Sequence, residues 1–211
     1  MQDATREGPR MGIFGGTFDP IHSGHLQIAR EAAQTFALDR VLFVPAANPP
    51  HKPVAALTPY AHRLRMTEIA CAPYPHFSAS SLESGPAKSY TVDTLECVRR
   101  EVSCGNELFF LIGADAFREI ETWKRWREVL DLTEFIVISR PGASYTIPEH
   151  ARVHRMDWVN VEISSSAIRK RLAAGRPVPE LPAEVGEYIR EQGLYGTPID
   201  NRPQAANLPD E

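Results

Sequence analysis

The sequence predicts an α/β fold: a doubly wound, mostly parallel sheet with helices on both faces, in a single domain. Three observations predict it. Short apolar runs of strand length alternate with amphipathic stretches of helix length through most of the chain. A glycine turn, Gly15-Gly16-Thr17, separates the first apolar run from the first helical pattern. The 211 residues, 43% of them hydrophobic, supply one sizeable core and too little chain for two large ones.

The elements follow in order. Residues 1–10 are polar and carry Gly8-Pro9, so they read as a disordered N-terminal extension, with Met11 a candidate natural start. Met11–Gly15 is the first strand. His25 to Ala37 places Leu26, Ala29, Ala33 and Phe36 on one helical face. Arg40–Pro45 is a buried second strand, followed by a proline-rich loop from Ala46 to Thr58. Thr58-Pro59 opens a helix to about Ala72, an N-cap followed by proline in the first turn. Phe77–Ser81 is a short strand, and Ser89 to Val102 a helix with Val92, Leu95 and Val98 inward. Glu107–Ile112 is a buried strand stopped at Gly113, and Ala114 to Leu130 forms two short helices broken near Trp123. Phe135–Ser139 and Val153–Trp158 are the last strands. Ser164 to Ala173 and Pro182 to Gln192 are the closing helices. The domain thus spans 11–196, and the proline-bearing 197–211 reads as a flexible tail.

Composition narrows the function classes. A net charge of -4 provides no global field for nucleic acid or an anionic membrane, so any phosphate-binding charge is local. Three cysteines without CxxC spacing argue against a disulfide framework and for a reducing, cytoplasmic setting. No apolar run reaches transmembrane length.

The chemistry concentrates where strands end and helices begin. Glycines at Gly15 and Gly16 let backbone N–H groups approach a ligand, and a helix N-terminus attracts anions. His22 and His25 bracket Gly24 just beyond that turn and can both donate to phosphoryl oxygens, as can Thr17. A second anion cradle lies late in the chain. There Ser164, Ser165 and Ser166 start a helix, and Arg169 stands one turn in with a planar fork suited to pyrophosphate. Lys170 and Arg171 point elsewhere and read as solvated. GxxxxGK[ST], GxGxxG, zinc-ligand spacing and G-x-S-x-G are absent from the sequence, which sets aside P-loop, dinucleotide-cofactor, structural-zinc and nucleophile-elbow readings.

GGTFDPIHSGH together with the late ISSSAIR resembles the HxGH nucleotidyltransferase superfamily. From Met11 to Gly196 the chain is similar to the bacterial nicotinate-nucleotide adenylyltransferases. The further matches are Asn48-Pro49-Pro50-His51-Lys52, Ser89 to Leu95 (SYTVDTL), Leu111 to Asp115 (LIGAD), Trp123, Ser139-Arg140-Pro141-Gly142 and Gln192-Gly193-Leu194-Tyr195. The resemblance implies the Rossmann-like version of the sheet and an enzyme that joins ATP and nicotinate mononucleotide.

It also implies roles. ATP would be held by Gly15, Gly16, Thr17, Phe18, His22, His25, Gly113, Asp115, Ser164, Ser166 and Arg169, with His22, His25 and Arg169 catalytic. Asn48, His51, Lys52, Thr91, Trp123 and Arg140 would serve the mononucleotide, Trp123 by stacking on the pyridine ring. Some relatives carry tyrosine after that tryptophan, where this chain has Lys124. Mg²⁺ would arrive on the ATP phosphates, so no dedicated metal cage is expected, and Asp19 before Pro20 would shape its loop. The alternatives are the amide mononucleotide or phosphopantetheine as acceptor, cytidylyl transfer to a polyol phosphate, and a noncatalytic nucleotide sensor.

Overall fold

The six apolar runs read as strands lie in one parallel sheet. In chain order the elements are β1 (Arg10–Gly16), α1 (Ser23–Thr35), β2 (Arg40–Pro45), α2 (Tyr60–Cys71), β3 (Phe77–Ala79), α3 (Thr91–Glu101) and β4 (Glu107–Gly113). After them come α4 (Ala114–Phe117), a 3₁₀ turn at Ile120–Thr122, α5 (Trp126–Leu132), β5 (Glu134–Ile138) and β6 (Val153–Met156). The chain closes with α6 (Ser165–Ala173), α7 (Ala183–Glu191) and a 3₁₀ turn at Leu194–Gly196. This computed structural model describes residues 8–50, 57–85, 88–102, 105–140, 142–159 and 163–198. His51 and Lys52 lie outside the described residues, as do 1–7 and 199–211 of the expected terminal segments.

The strand order is β3-β2-β1-β4-β5-β6, with each neighbouring pair parallel. The chain runs outward from β1 to β3, returns to β4 beside β1, and runs outward again to β6. The carboxyl ends of β1 and β4 therefore flank the point where strand order reverses, the usual crevice for a ligand in such sheets. Alternation along the strands divides the core in two. Phe14, Phe109, Leu111 and Ile136 face a cluster built with Leu26, Ala29, Met66, Val185 and Ile189. Ile13, Leu108, Phe110, Phe135 and Val137 face another built with Val92, Leu95, Phe117 and Val129. Near-continuous apolar strands are what burial on both faces demands. Among the described residues no helix is long and apolar enough to cross a membrane.

Among the boundaries that differ from the sequence reading, three bear on the argument. Arg10 belongs to β1 and not to the extension: it is in register with Glu107, its Nε reaches the Glu107 carboxylate at 2.5 Å, and Nη1 donates to the Phe36 carbonyl. The first helix starts at Ser23, with His22 as its N-cap, so both histidines sit in its first turn. Strand β6 stops at Met156, and Trp158 beyond it is half exposed.

One residue fastens the loops above the sheet. Arg63 lies on the inward stripe of α2 with Met66, Thr67 and Ala70 and is only 1% exposed. Its Nε donates to the Thr58 carbonyl at 2.8 Å, and Nη1 to Thr17 at 2.8 Å and Ala46 at 2.7 Å. Nη2 reaches the Ala47 carbonyl at 3.3 Å. The loop after β1, the loop after β2 and the entry to α2 thus share one guanidinium. Orphaning several buried acceptors at once is expensive, so Arg63→Met should cost about 3–5 kcal/mol of stability. Urea unfolding of the pair checks this, and an unchanged midpoint would show that the loops hold without it.

Candidate active site

The site begins where β1 runs out. At Gly16 an added Cβ would come within 3.1 Å of the Phe18 ring, which folds back under the turn from a backbone with φ 45°. Phe18 is 2% exposed and packs edge-on to Phe14, so its side chain supports the site from beneath. The Asp19–Pro20 peptide is cis. Asp19 is 1% exposed, and its carboxylate accepts from the Tyr195 hydroxyl at 2.6 Å and the Thr58 N–H at 3.3 Å. That carboxylate holds the loop to the end of the chain.

His22 and His25 follow. The His22 N–H donates to Nδ1 of His25 at 3.2 Å, a histidine standing where a capping box has glutamate or glutamine. Since Nδ1 accepts, the neutral His25 ring carries its proton on Nε2. The two rings lie 3.8 Å apart between centroids, and the Phe18 ring meets His25 edge-on at 5.1 Å. Burial pushes the His22 imidazole down to about 4, while the Glu180 carboxylate pulls the other way. Burial, with His22 beside it, puts His25 well below the ordinary histidine range. Both rings are neutral at pH 7.

Helix α6 docks against the same loop. Ser164 caps it by accepting from the Ala167 N–H at 3.2 Å. The Ser165 hydroxyl donates to the Pro20 carbonyl at 3.0 Å, and Arg169 Nη1 donates to the Asp19 carbonyl at 2.6 Å. Arg169 Nη2 also reaches the exposed Ser166 hydroxyl at 3.3 Å. Residues some 150 positions apart in sequence are thereby joined, and the late guanidinium stands beside the loop that carries the histidines.

Two cavities adjoin at Gly113, the end of β4. The larger, about 580 Å³, is lined by His22, His25, Asp115, Arg140, Ser164 and Ser165 among others. The smaller, about 310 Å³, is lined by Gly15, Gly16, Thr17, Ser89, Thr91 and Trp123 among others. Residues that the sequence reading gave to one ligand divide between the two cavities. Arg140, expected with a mononucleotide, lines the larger cavity, because it directly follows β5 on the far side of the switch point. Gly15, Gly16 and Thr17, expected with ATP, line the smaller one, since β1 faces β2 there. Asn48 sits beside the smaller cavity, its N–H donating to the Ser89 hydroxyl and its carbonyl accepting from the Ser89 N–H. Trp123 stands perpendicular to Phe110 at 6.3 Å. Lys124 is engaged elsewhere: its ammonium pairs with Asp93 at 2.9 Å and lies 4.5 Å from the Tyr90 ring centroid. Asp115 pairs with Arg118.

Sequence reasoning missed Arg63, the Asp19–Tyr195 tie, and Glu83. The last is a carboxylate raised by burial whose Oε1 accepts from the Thr94 hydroxyl at 2.6 Å, beside the smaller cavity. Only Arg63 left a signal in sequence, a charge on the apolar stripe shared with Met66 and Ala70.

The low His22 value has a consequence for stability. A ring that resists protonation in the native state binds fewer protons than the unfolded chain below pH 6.5. Its contribution is therefore complete above that pH and is lost as pH falls toward 4, about 2 kcal/mol between pH 7 and pH 5. His22→Asn should flatten the stability profile by this amount in thermal unfolding at the two pH values. Parallel profiles would place the native ring in contact with water.

The comparisons with known proteins fit this geometry. The cytidylyltransferase-like family model matches residues 13–171. A Solibacter usitatus protein named "Probable nicotinate-nucleotide adenylyltransferase" is 53% identical over 186 residues, covering 88% of this chain and 99% of its own. A Thermus thermophilus protein of the same name is 46% identical over 190 residues, with coverage of 88% and 99%. Among solved structures, Plasmodium falciparum nicotinic acid mononucleotide adenylyltransferase complexed with NaAD superposes with a TM-score of 0.74 at 21% identity. The match covers 92% of this chain and all of that one, and it shows the fold. The chain belongs to the nicotinate-nucleotide adenylyltransferase family of cytidylyltransferase-like proteins.

Proposed function

We propose that the protein transfers the adenylyl group of ATP to nicotinate mononucleotide, giving nicotinate adenine dinucleotide and pyrophosphate, in NAD biosynthesis. One observation carries the reading. Two adjoining cavities meet at the switch point, one faced by paired imidazoles and a serine-capped helix, the other by Trp123 and the start of α3. A dinucleotide is two nucleotides joined through phosphates, and the cavities adjoin at the level of the histidines.

In this reading ATP takes the larger cavity. His22 and His25 donate to its phosphates, Asp115 accepts from the ribose, and Gly113 lets the adenosine approach β4. Arg140 works on this side. Ser164, Ser166 and Arg169 receive the departing β,γ-pyrophosphate. The mononucleotide takes the smaller cavity, its ring on Trp123 and its carboxylate at the Thr91 N–H, the first of α3. Asn48, His51 and Lys52 serve its 5′-phosphate, and Gly15, Gly16 and Thr17 border both phosphates from β1. With Lys124 held by Asp93, ring recognition falls to Trp123 and the helix terminus.

The attacking oxygen belongs to a phosphate already ionised near neutrality, so the residues need not remove a proton. A new bond forms from that oxygen to the α-phosphorus as the bond to the β-phosphate oxygen breaks, and pyrophosphate leaves with the electron pair. Positioning two reactants can lower such a barrier by ~7–11 kcal/mol. Mg²⁺ enters as part of the ATP substrate, largely hydrated; the Asp19 carboxylate is committed to Tyr195 and Thr58. ATP as substrate, with Cys71 and Cys97 both unpaired, supports a cytoplasmic setting.

A pyrophosphate-release assay offering ATP with nicotinate mononucleotide, nicotinamide mononucleotide or phosphopantetheine tests the assignment. Turnover should be highest with the first acceptor; release with phosphopantetheine alone would overturn the reading, and release with none would favour a nucleotide sensor. His22→Ala should lower turnover about 10²–10³-fold with the fold intact, by analogy with loss of one preorganised donor. Trp123→Ala should act differently, raising the Michaelis constant for the mononucleotide roughly 10-fold while sparing that for ATP. An unaltered mononucleotide constant would remove the stacking role.

A further inference from the structure

Two buried polar atoms lack a hydrogen-bond partner among the described residues: Nδ1 of His22, which lines the larger cavity, and Oε2 of Glu180. They belong to touching segments. The Ser23 N–H donates to the Glu180 carbonyl at 2.8 Å, so the connection between α6 and α7 runs against the residue that follows His22. On its other side, Glu180 Oε1 accepts from Arg171 Nη2 at 2.7 Å, which fixes the carboxylate in place. The charge of Glu180 raises the proton affinity of the His22 ring against the effect of burial, and the ring in turn favours the ionised carboxylate. No hydrogen bond joins the two.

An orphaned nitrogen and an orphaned carboxylate oxygen on two touching segments are an interaction that one proton can complete. A polyanion supplies the reason to take it up, since negative charge near an imidazole favours the charged form. We propose that Glu180 is a positioning residue for His22: once a triphosphate engages Nε2, the ring gains a proton from solvent and Nδ1–H closes on the Glu180 carboxylate, directly or through one water. His22 then meets the phosphates as an imidazolium of fixed orientation, a stronger donor than the neutral ring. The remaining groups around it are His25 on α1, Asp19 and Arg169 at the loop, Arg171 behind Glu180, and Asp115 and Arg140 across the cavity. Of these, the neighbouring cations oppose protonation, while Glu180 and the phosphates favour it.

The proposal rests on the adenylyltransferase reading, and its test separates the two. The His22 Cε1–H resonance is titrated by NMR in the full chain saturated with inorganic triphosphate, for the wild type, Glu180→Gln and Arg171→Met. Glu180→Gln should lower the His22 midpoint by about one pH unit, and Arg171→Met, which releases the carboxylate toward the ring, should raise it. The alkaline limb of kcat should move with the midpoint, giving a loss for Glu180→Gln of about 10-fold on that limb and little below it. The Michaelis constant for the mononucleotide should stay unchanged. Coincident midpoints in all three proteins overturn the proposal, even if the variants are less stable. Should Glu180→Gln fail to fold, the upward shift in Arg171→Met still decides. Normal dinucleotide synthesis with coincident midpoints sinks this inference alone; shifted midpoints with no dinucleotide formed sink the enzymatic reading alone.

Discussion

The loops of this protein depend on a single buried guanidinium. Parallel strands end in loops whose carbonyls have no ladder partner, and here several such loops converge above β1 and β2. Arg63 satisfies Thr17, Ala46, Ala47 and Thr58 at once. A lysine could not, because its three donors radiate from one atom, whereas the guanidinium fork spreads five donors across a plane. These four acceptors are backbone carbonyls, and the Asp19 carboxylate adds its charge from further off. Asp19 is the counterpart on the acceptor side, gathering Tyr195, Thr58 and Arg169. Between them these two residues hold the histidine loop to β2, to α2, to α6 and to the end of α7. The geometry of the histidine turn follows from that bracing.

The bracing explains why the imidazoles are neutral and ordered. A ring clamped between Phe14, Phe18 and its neighbour's N–H cannot be hydrated freely, so its charged form is disfavoured. What it loses in charge it gains in orientation, because a neutral histidine whose Nδ1 already accepts has one proton and one direction in which to give it. Preorganised donors of this kind need little rearrangement when charge develops on a phosphate. A net charge of -4 thus does not conflict with binding polyanions: the attraction comes from oriented N–H groups, a helix terminus and a few placed cations.

The sheet and its helices were legible in the sequence because apolar periodicity reports burial directly, and burial decides the fold. The histidine turn and the serine-arginine helix were legible because their chemistry is local to a few residues. Arg10 was misassigned because one arginine beside a polar stretch does not reveal a partner 97 positions away. Helix α1 was started late for a related reason: a histidine is not an ordinary N-cap, and only the bond from His22 N–H to His25 shows how the turn closes. That Arg140 lines the cavity of the histidines was not legible, because a motif gives residue identity and not the side of the switch point on which its strand falls. Glu83 left no pattern because it lies in a loop without periodicity, and the Asp19–Tyr195 tie left none because its residues, 176 positions apart, meet only after folding.

That last class of contact also separates this chain's chemistry from what a short motif can encode. The turn GGTFDPIHSGH supplies donors, but their protonation is set by what packs behind them. The Glu180 carbonyl meets the Ser23 N–H, next to His22, from the connection between α6 and α7, and Arg169 reaches the Asp19 carbonyl from α6, both through folding alone. Two chains with identical histidine turns but different residues at these distant positions would present the same atoms to a triphosphate with different proton affinities. The motif therefore specifies which groups line the cavity, and the tertiary contacts around it specify in what charge state they do so.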